Sequence, residues 1–180
     1  DPTLGIQSAT LDGVAVADCT VVAGAAAAVR RIARVLFSAE ASGSARATLD
    51  MAVEYAKVRS QFGRTIGSFQ AVKHHCANML VQSELATAAV WDAARTPVSD
   101  AQAAIVSDVA AATAFSAAIH NAQLNIQLHG GIGFTWEHDA HLYLRRSRAL
   151  AALIAPADVV LDDLIERSYA GERRSYSLDL

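Results

Sequence analysis

Over residues 26 to about 59 the apolar residues Val29, Ile32, Val35, Leu36, Leu49, Ala52, Val53 and Ala56 recur at helical spacing. One face of a single very long helix must therefore be buried against other elements. The rest of the sequence supplies helices to do it. Gly43 interrupts the first helix at a cost of about 1 kcal/mol against alanine, which points to a close helix approach there. Ser68 is placed to cap a second helix reaching about residue 94, with Val72, Cys76, Met79 and Leu80 inward. Thr96-Pro97 breaks it, and Ser99-Asp100-Ala101-Gln102 has capping-box form for a third helix through Ile105, Val109, Ala112, Phe115, Ile119 and Ile126. Gly130-Gly131 stops that one. A fourth runs from about Glu137 to Ile154 ahead of Pro156, and a short fifth carries Val159, Val160 and Leu164 before Gly171. The expected fold is all-α, an up-and-down four-helix bundle with a short fifth helix.

Residues 7–22 alternate and favour a strand too short to make a sheet of its own. This divides the chain into a linker-like start (1–24), a helical body (25–171) and a polar tail (172–180) expected to be disordered. The 53% hydrophobic fraction is rich in alanine, which suits closely packed helices. The same composition implies more apolar surface than one small bundle hides, so oligomerisation is expected. A net charge of -3 and a pI near 6.0 provide no long-range attraction for nucleic acid. Cys19 and Cys76 show no metal or redox spacing and fit a reduced, cytoplasmic setting. No leader opens the chain, and no charge-free apolar run is expected to reach the roughly 18 residues a spanning helix needs. His138 and His141 share a face of the predicted fourth helix but lack a third ligand, and His74, His75, His120 and His129 show no ligand spacing, so no metal is expected. Glu137 and Asp139 suit the first turn of that helix as partners of its dipole.

Two segments carry the chemistry. Arg59, Gln61 and Phe62 sit where the long helix ends, a place from which side chains can project towards a ligand. Taken alone they also fit a solvated arginine at a helix C-terminus beside a buried loop phenylalanine. Gln127, Gly130 and Gly131 combine an amide with main chain that a ligand can approach, and equally fit an ordinary glycine C-cap. The wording around them decides between these readings. Residues 55–70, Tyr-Ala-Lys-Val-Arg-Ser-Gln-Phe-Gly-Arg-Thr-Ile-Gly-Ser-Phe-Gln, resemble the YxxxRxxFGxxIxxFQ signature of the acyl-CoA dehydrogenases. Residues 127–134, Gln-Leu-His-Gly-Gly-Ile-Gly-Phe, resemble the same family's QxxGGxG turn.

The resemblance implies a C-terminal helical domain, preceded by the last strand of a β-domain, that contacts flavin adenine dinucleotide (FAD). Arg59 would pair with the pyrophosphate and Phe62 would cover the adenine end. Gln61, Ile66 and Gln70 would add contacts, and Gln127, Gly130 and Gly131 would reach the flavin of a neighbouring subunit. It also implies an acyl-CoA substrate, an electron-transfer flavoprotein as acceptor, and a homo- or hetero-oligomer with a related subunit. The family's catalytic glutamate occupies one of two positions, which here read Ala33 and the stretch Ala151-Ala152-Leu153-Ile154-Ala155-Pro156. Glu40 and Asp158 lie about a turn away without the right neighbours, and Asp158 suits the first turn of the fifth helix. The expected role is therefore a fragment or a non-catalytic subunit. A purely structural oligomerisation module and a dehydrogenase with a relocated base stand as alternatives.

Overall fold

The fold comes from a computed structural model that describes residues 2–5, 7, 8, 10, 12, 13, 15, 20 and 22–175. Helix α1 (Ala25–Val58) runs into a miniature hairpin of β1 (Ser60–Gln61) and β2 (Arg64–Thr65), then a 3-10 turn (Ile66–Ser68). Helices α2 (Gln70–Arg95) and α3 (Ala103–His129) follow, then a second 3-10 turn (Gly130–Phe134), α4 (Ala140–Ile154) and α5 (Ala157–Tyr169). The all-α bundle expected from the periodicity is present, and α3 lies at its centre against α1, α2, α4 and α5.

The core is built from small residues. Along α1 the buried set is Arg34, Ser38, Ala41, Ser42, Ala45, Thr48, Leu49, Ala52 and Ala56, a helical stripe dominated by alanine and serine. From α3 it meets Ala110, Ala111, Ala114, Ala117, Ala118 and Ala122. Side chains this short let helix axes approach towards the near end of the usual 8–10 Å range. One polar clamp fixes the register: the fully buried Asn121 amide donates to Ala45 O (3.1 Å), Met79 O (3.0 Å) and Ser83 Oγ (3.0 Å), linking α3 to α1 and α2. A second network ties α5 down. Asp108, 1% exposed on α3, accepts from Arg34 of α1 and from Arg167 Nε of α5 (2.8 Å), and Arg34 Nη2 also donates to Asp163 (2.8 Å).

Several local expectations are corrected. Val29 and Leu36 are 63% and 64% exposed, with Ile32 beside them, so these three turn away from the bundle while Val35 packs against its core as expected. Leu80 and Val109 are exposed too. Gly43 has open space where a Cβ would stand, so no helix approaches it. The close approaches fall instead at Gly67, where a Cβ would lie 2.8 Å from Ala56 O, and at Gly133, where it would lie 2.6 Å from Ile126 O.

Helix starts come later than the sequence suggests. Ser68 sits in the 3-10 turn with Oγ donating to Thr65 O (2.7 Å), and Phe69 takes the N-cap of α2. Residues 97–102 form turns in which Asp100 accepts from the Gln102 N–H (2.7 Å), delaying α3 to Ala103. Neither Glu137 nor Asp139 lies within α4, and His138 Nδ1 accepts the Ala140 N–H (3.1 Å) instead. His138 therefore precedes the helix and shares no face of it with His141.

The apolar-run expectation also fails. Helix α3 carries a stretch long and apolar enough to cross a membrane, because it is the central helix and is largely surrounded by the other four. In the tail, Arg174 donates to Asp92 (2.6 Å) and Ser175 N–H donates to Gln102 (2.7 Å), which brings residues 174 and 175 against α2 and the turn before α3. Residues 176–180 lie outside the described residues, as does Cys19. Among the described residues of the expected strand none lies in a β-strand.

Candidate functional site

Arg59 caps α1 in an extended conformation, its N–H held by Tyr55 O (2.9 Å). The chain then doubles back within two residues: Ser60 pairs with Thr65, Gln61 with Arg64, and Ile66 N–H closes on Arg59 O (2.8 Å). Such a two-residue connection needs positive φ at both turn positions. They are Phe62 (φ 53) and Gly63 (φ 76). Among the described residues Phe62 is the one non-glycine at positive φ, and its ring is 91% exposed at the hairpin tip. A phenylalanine in this conformation costs about 1–2 kcal/mol, and here its face is open to solvent. The ring meets Phe69 edge-on at 6.2 Å, and the Arg64 guanidinium lies 4.0 Å over Phe69, bracing the tip.

The second segment begins at the end of α3, where Gly130 (φ 63) caps the helix through N–H contacts to Gln127 O and Ile126 O. Gln127 and Gly131 are exposed, and a Cβ at Gly131 would meet nothing, so the main chain there is open to an approaching group. Gly133 folds the turn back tightly onto Ile126. The two segments meet through rings. Tyr55, one turn before Arg59, stacks on His129, the residue before Gly130, at 4.3 Å and 24°.

All eight expected contact residues thus lie in, or at the helix ends beside, two loops at one end of the bundle. Arg59 is exposed and makes no side-chain hydrogen bond or ion pair with the described residues. Gln61, Gln70 and Gln127 are exposed, Ile66 and Gly130 half-buried. The donor set fits a dinucleotide: a free planar guanidinium for a pyrophosphate, amides for polar ring atoms, an exposed aromatic face and approachable glycine backbone.

Tyr55, Arg64, Phe69, His129 and His138 also shape this end, although the sequence assigns none of them a ligand contact. His129 is buried, its Nδ1–H donating to Asn125 O (2.8 Å), and the His138 ring lies 4.3 Å away, tilted by 47°. Burial, together with the neighbouring His138, pushes the His129 pKa below its ordinary value despite the bond to Asn125. The adjacency of His129 to Gly130 was the one available signal.

The two positions expected for the base lie elsewhere and lie together. Ala33 lines one cavity with Leu153, Ile154 and Pro156; its remaining lining is Arg30, Arg34 and Val159, with no carboxylate. At 1.5 Å per residue along α1, Ala33 stands about 39 Å from Arg59. Glu40 accepts from Arg146 Nε (2.6 Å), and Arg146 Nη1 donates to Thr3 O (2.8 Å). Asp158 occupies the first turn of α5, as expected from its place after Pro156. No group of three His, Cys, Asp or Glu side chains suited to a metal occurs among the described residues. Cys76 is half-buried on α2, and burial raises its thiol pKa.

The acyl-CoA dehydrogenase C-terminal domain family matches residues 23–168. The chain is 49% identical over 154 residues to acyl-CoA dehydrogenase FadE34 of Mycobacterium tuberculosis, covering 84% of this chain and 22% of that protein. It is 47% identical over 131 residues to acyl-CoA dehydrogenase IpdE2 of the same organism, covering 71% and 39%. The chain thus spans well under half the length of these relatives. Among solved structures it resembles butyryl-CoA dehydrogenase from Megasphaera elsdenii, with TM-score 0.72 and 26% identity over 79% of this chain and 38% of that one. It likewise resembles a chain of the ChsE4-ChsE5 complex from M. tuberculosis, with TM-score 0.73 and 28% identity over 81% and 39%.

Proposed function

The chain belongs to the acyl-CoA dehydrogenase family as its C-terminal domain, and from that premise we propose that it supplies one half of an FAD site to a neighbouring subunit without supplying the catalytic base. Bound FAD would accept a hydride from the β-carbon of an acyl-CoA thioester. Arg59 would pair with the pyrophosphate, Phe62 would cover the adenine, and Gln61, Ile66, Gln70, Gln127, Gly130 and Gly131 would complete the wall.

The observation that carries this reading is distance. The Arg59 loops and the Ala33 cavity stand about 39 Å apart along α1, farther than one dinucleotide reaches. A flavin whose adenine half lies on these loops therefore cannot place its reacting ring at the Ala33 cavity of the same bundle. That supports an oligomer, either of this polypeptide or with a related dehydrogenase subunit, as in the two-protein composition of the ChsE4-ChsE5 complex.

The absence of a carboxylate from the lining of the Ala33 cavity supports a non-catalytic role. Removing the α-proton needs a placed base, worth about 10² to 10⁴-fold in rate. In this reading the partner's carboxylate performs it, electrons leave through an electron-transfer flavoprotein, and the assembly is cytoplasmic. Residues 1–24 would join the bundle to a preceding β-domain.

The test is Arg59→Ala in the assembled complex. FAD binding should weaken by roughly 1 to 3 kcal/mol, the range for a lost charged hydrogen bond. Riboflavin, which lacks the pyrophosphate, should bind unchanged. Equal losses for both ligands would show that Arg59 acts through folding, and a colourless complex would favour a structural module.

A further inference from the structure

We propose that the Tyr55–His129–His138 ring stack sets the spacing of the two loops of the dinucleotide half-site, with His129 as the positioning residue. The inference rests on the reading of those loops as a flavin site. Three separate pieces of chain meet on this one imidazole. Tyr55 holds it from α1, a single turn before Arg59, at 4.3 Å. His138 holds it from the segment ahead of α4, also at 4.3 Å. The Gly130–Phe134 turn folds over it so closely that a Cβ on Gly133 would stand 3.0 Å from His129 Cβ.

The ring has little freedom to rotate, because Nδ1–H is committed to Asn125 O at 2.8 Å. Since Gly130 follows directly, any shift of the imidazole carries the Gly130-Gly131 main chain with it. The distance from Arg59 to that main chain is then fixed by ring thickness, which the hairpin alone cannot set.

The stack also requires a neutral His129. The titratable side chains against it are Tyr55 from α1 and His138 from the segment before α4, and Asn125 contributes only a main-chain carbonyl. A second proton would set a buried cation against His138, with no carboxylate among the described residues in ring contact. Burial and His138 hold the His129 pKa below its unfolded value. The fold therefore favours the neutral ring: the stack stays complete through the ordinary histidine range near 6.5 and is lost only as pH falls through the lower pKa of the folded ring.

The experiment measures the FAD dissociation constant across pH for the complex containing the full polypeptide, comparing the unaltered protein with Arg59→Ala, His129→Phe and His129→Ala. His129→Phe keeps a stacking ring that cannot be protonated. The unaltered complex should hold its affinity through the ordinary histidine range, about pH 6.5, and lose roughly tenfold at lower pH, as the folded ring gains its proton. His129→Phe should stay within roughly threefold of it at neutral pH and lack the acid loss, and His129→Ala should bind roughly tenfold more weakly throughout. A purely structural histidine would leave the pH profile unchanged on substitution by phenylalanine. An acid loss that persists in His129→Phe, or unaltered affinity in His129→Ala, overturns the proposal. If Arg59→Ala weakens FAD while both His129 variants match the unaltered complex, the stack alone is refuted. If Arg59→Ala has no effect, the flavin reading fails and the proposal with it.

Discussion

Replacing Asp108 with alanine should be among the most damaging single changes to this bundle. The carboxylate is 1% exposed and accepts from two guanidiniums, Arg34 of α1 and Arg167 of α5. Its removal leaves Arg34, itself 3% exposed, with Asp163 as its remaining ion-pair partner. Breaking a buried pair by deleting one partner costs about 3–5 kcal/mol, because the remaining charge stays desolvated. Asp163 retains part of the compensation, which places the expected loss near the lower end, about 3 kcal/mol. Urea unfolding followed by far-ultraviolet circular dichroism measures it as a lowered midpoint at constant slope. Asp50→Ala is the control, since the Arg46–Asp50 pair is exposed on both sides and should be worth about 0.5 kcal/mol or less. Hydrogen exchange should show α5 opening before the other helices, as Arg167 anchors it to α3. A loss for Asp108→Ala no larger than that of Asp50→Ala would refute the view that this network couples α1, α3 and α5.

Phe62→Asn should raise stability by about 1 kcal/mol, because asparagine tolerates positive φ better, while weakening FAD binding; a stability loss in denaturant titration would show that the ring braces the fold. Gly133→Ala should cost about 1–3 kcal/mol, since its Cβ would meet Ile126 O at 2.6 Å. Gly131→Ala, open on every side, should leave the unfolding midpoint unchanged. The chain by itself should not reduce FAD with an acyl-CoA, and any turnover of a complex should survive Asp158→Asn and Glu40→Gln. Abolition by either substitution, read in a stopped-flow flavin trace, would name that carboxylate as the base.

Helix number and the major breaks were legible in the sequence because they are local properties. Pro97 and Pro156 end helices through a missing N–H and a fixed φ, and Gly130 does so through positive φ, whatever surrounds them. The motif residues were legible in the same way: Arg59, Phe62, Gln127 and Gly130 stand at helix ends that the sequence alone marks. Helix starts were not, because Ser68, Ser99 and Glu137 are placed like caps but lie in turns whose torsions are set by what packs beneath them.

The buried face of α1 also needed the tertiary structure. Periodicity gives weight to large apolar residues such as Val29 and Leu36, yet closely packed helices bury the residues that let their axes approach, here Ala41, Ala45 and Ala52. Likewise, nothing local relates Tyr55 to His129, or Ala33 to Pro156. Each pair is distant in sequence, and only the antiparallel return of the chain brings its members together. The sequence by itself therefore determined which side chains were available for chemistry. Tertiary packing decided that one set shares an end of the bundle and the other a cavity far along α1, because proximity between distant segments is a property of how helices stack and not of any one of them.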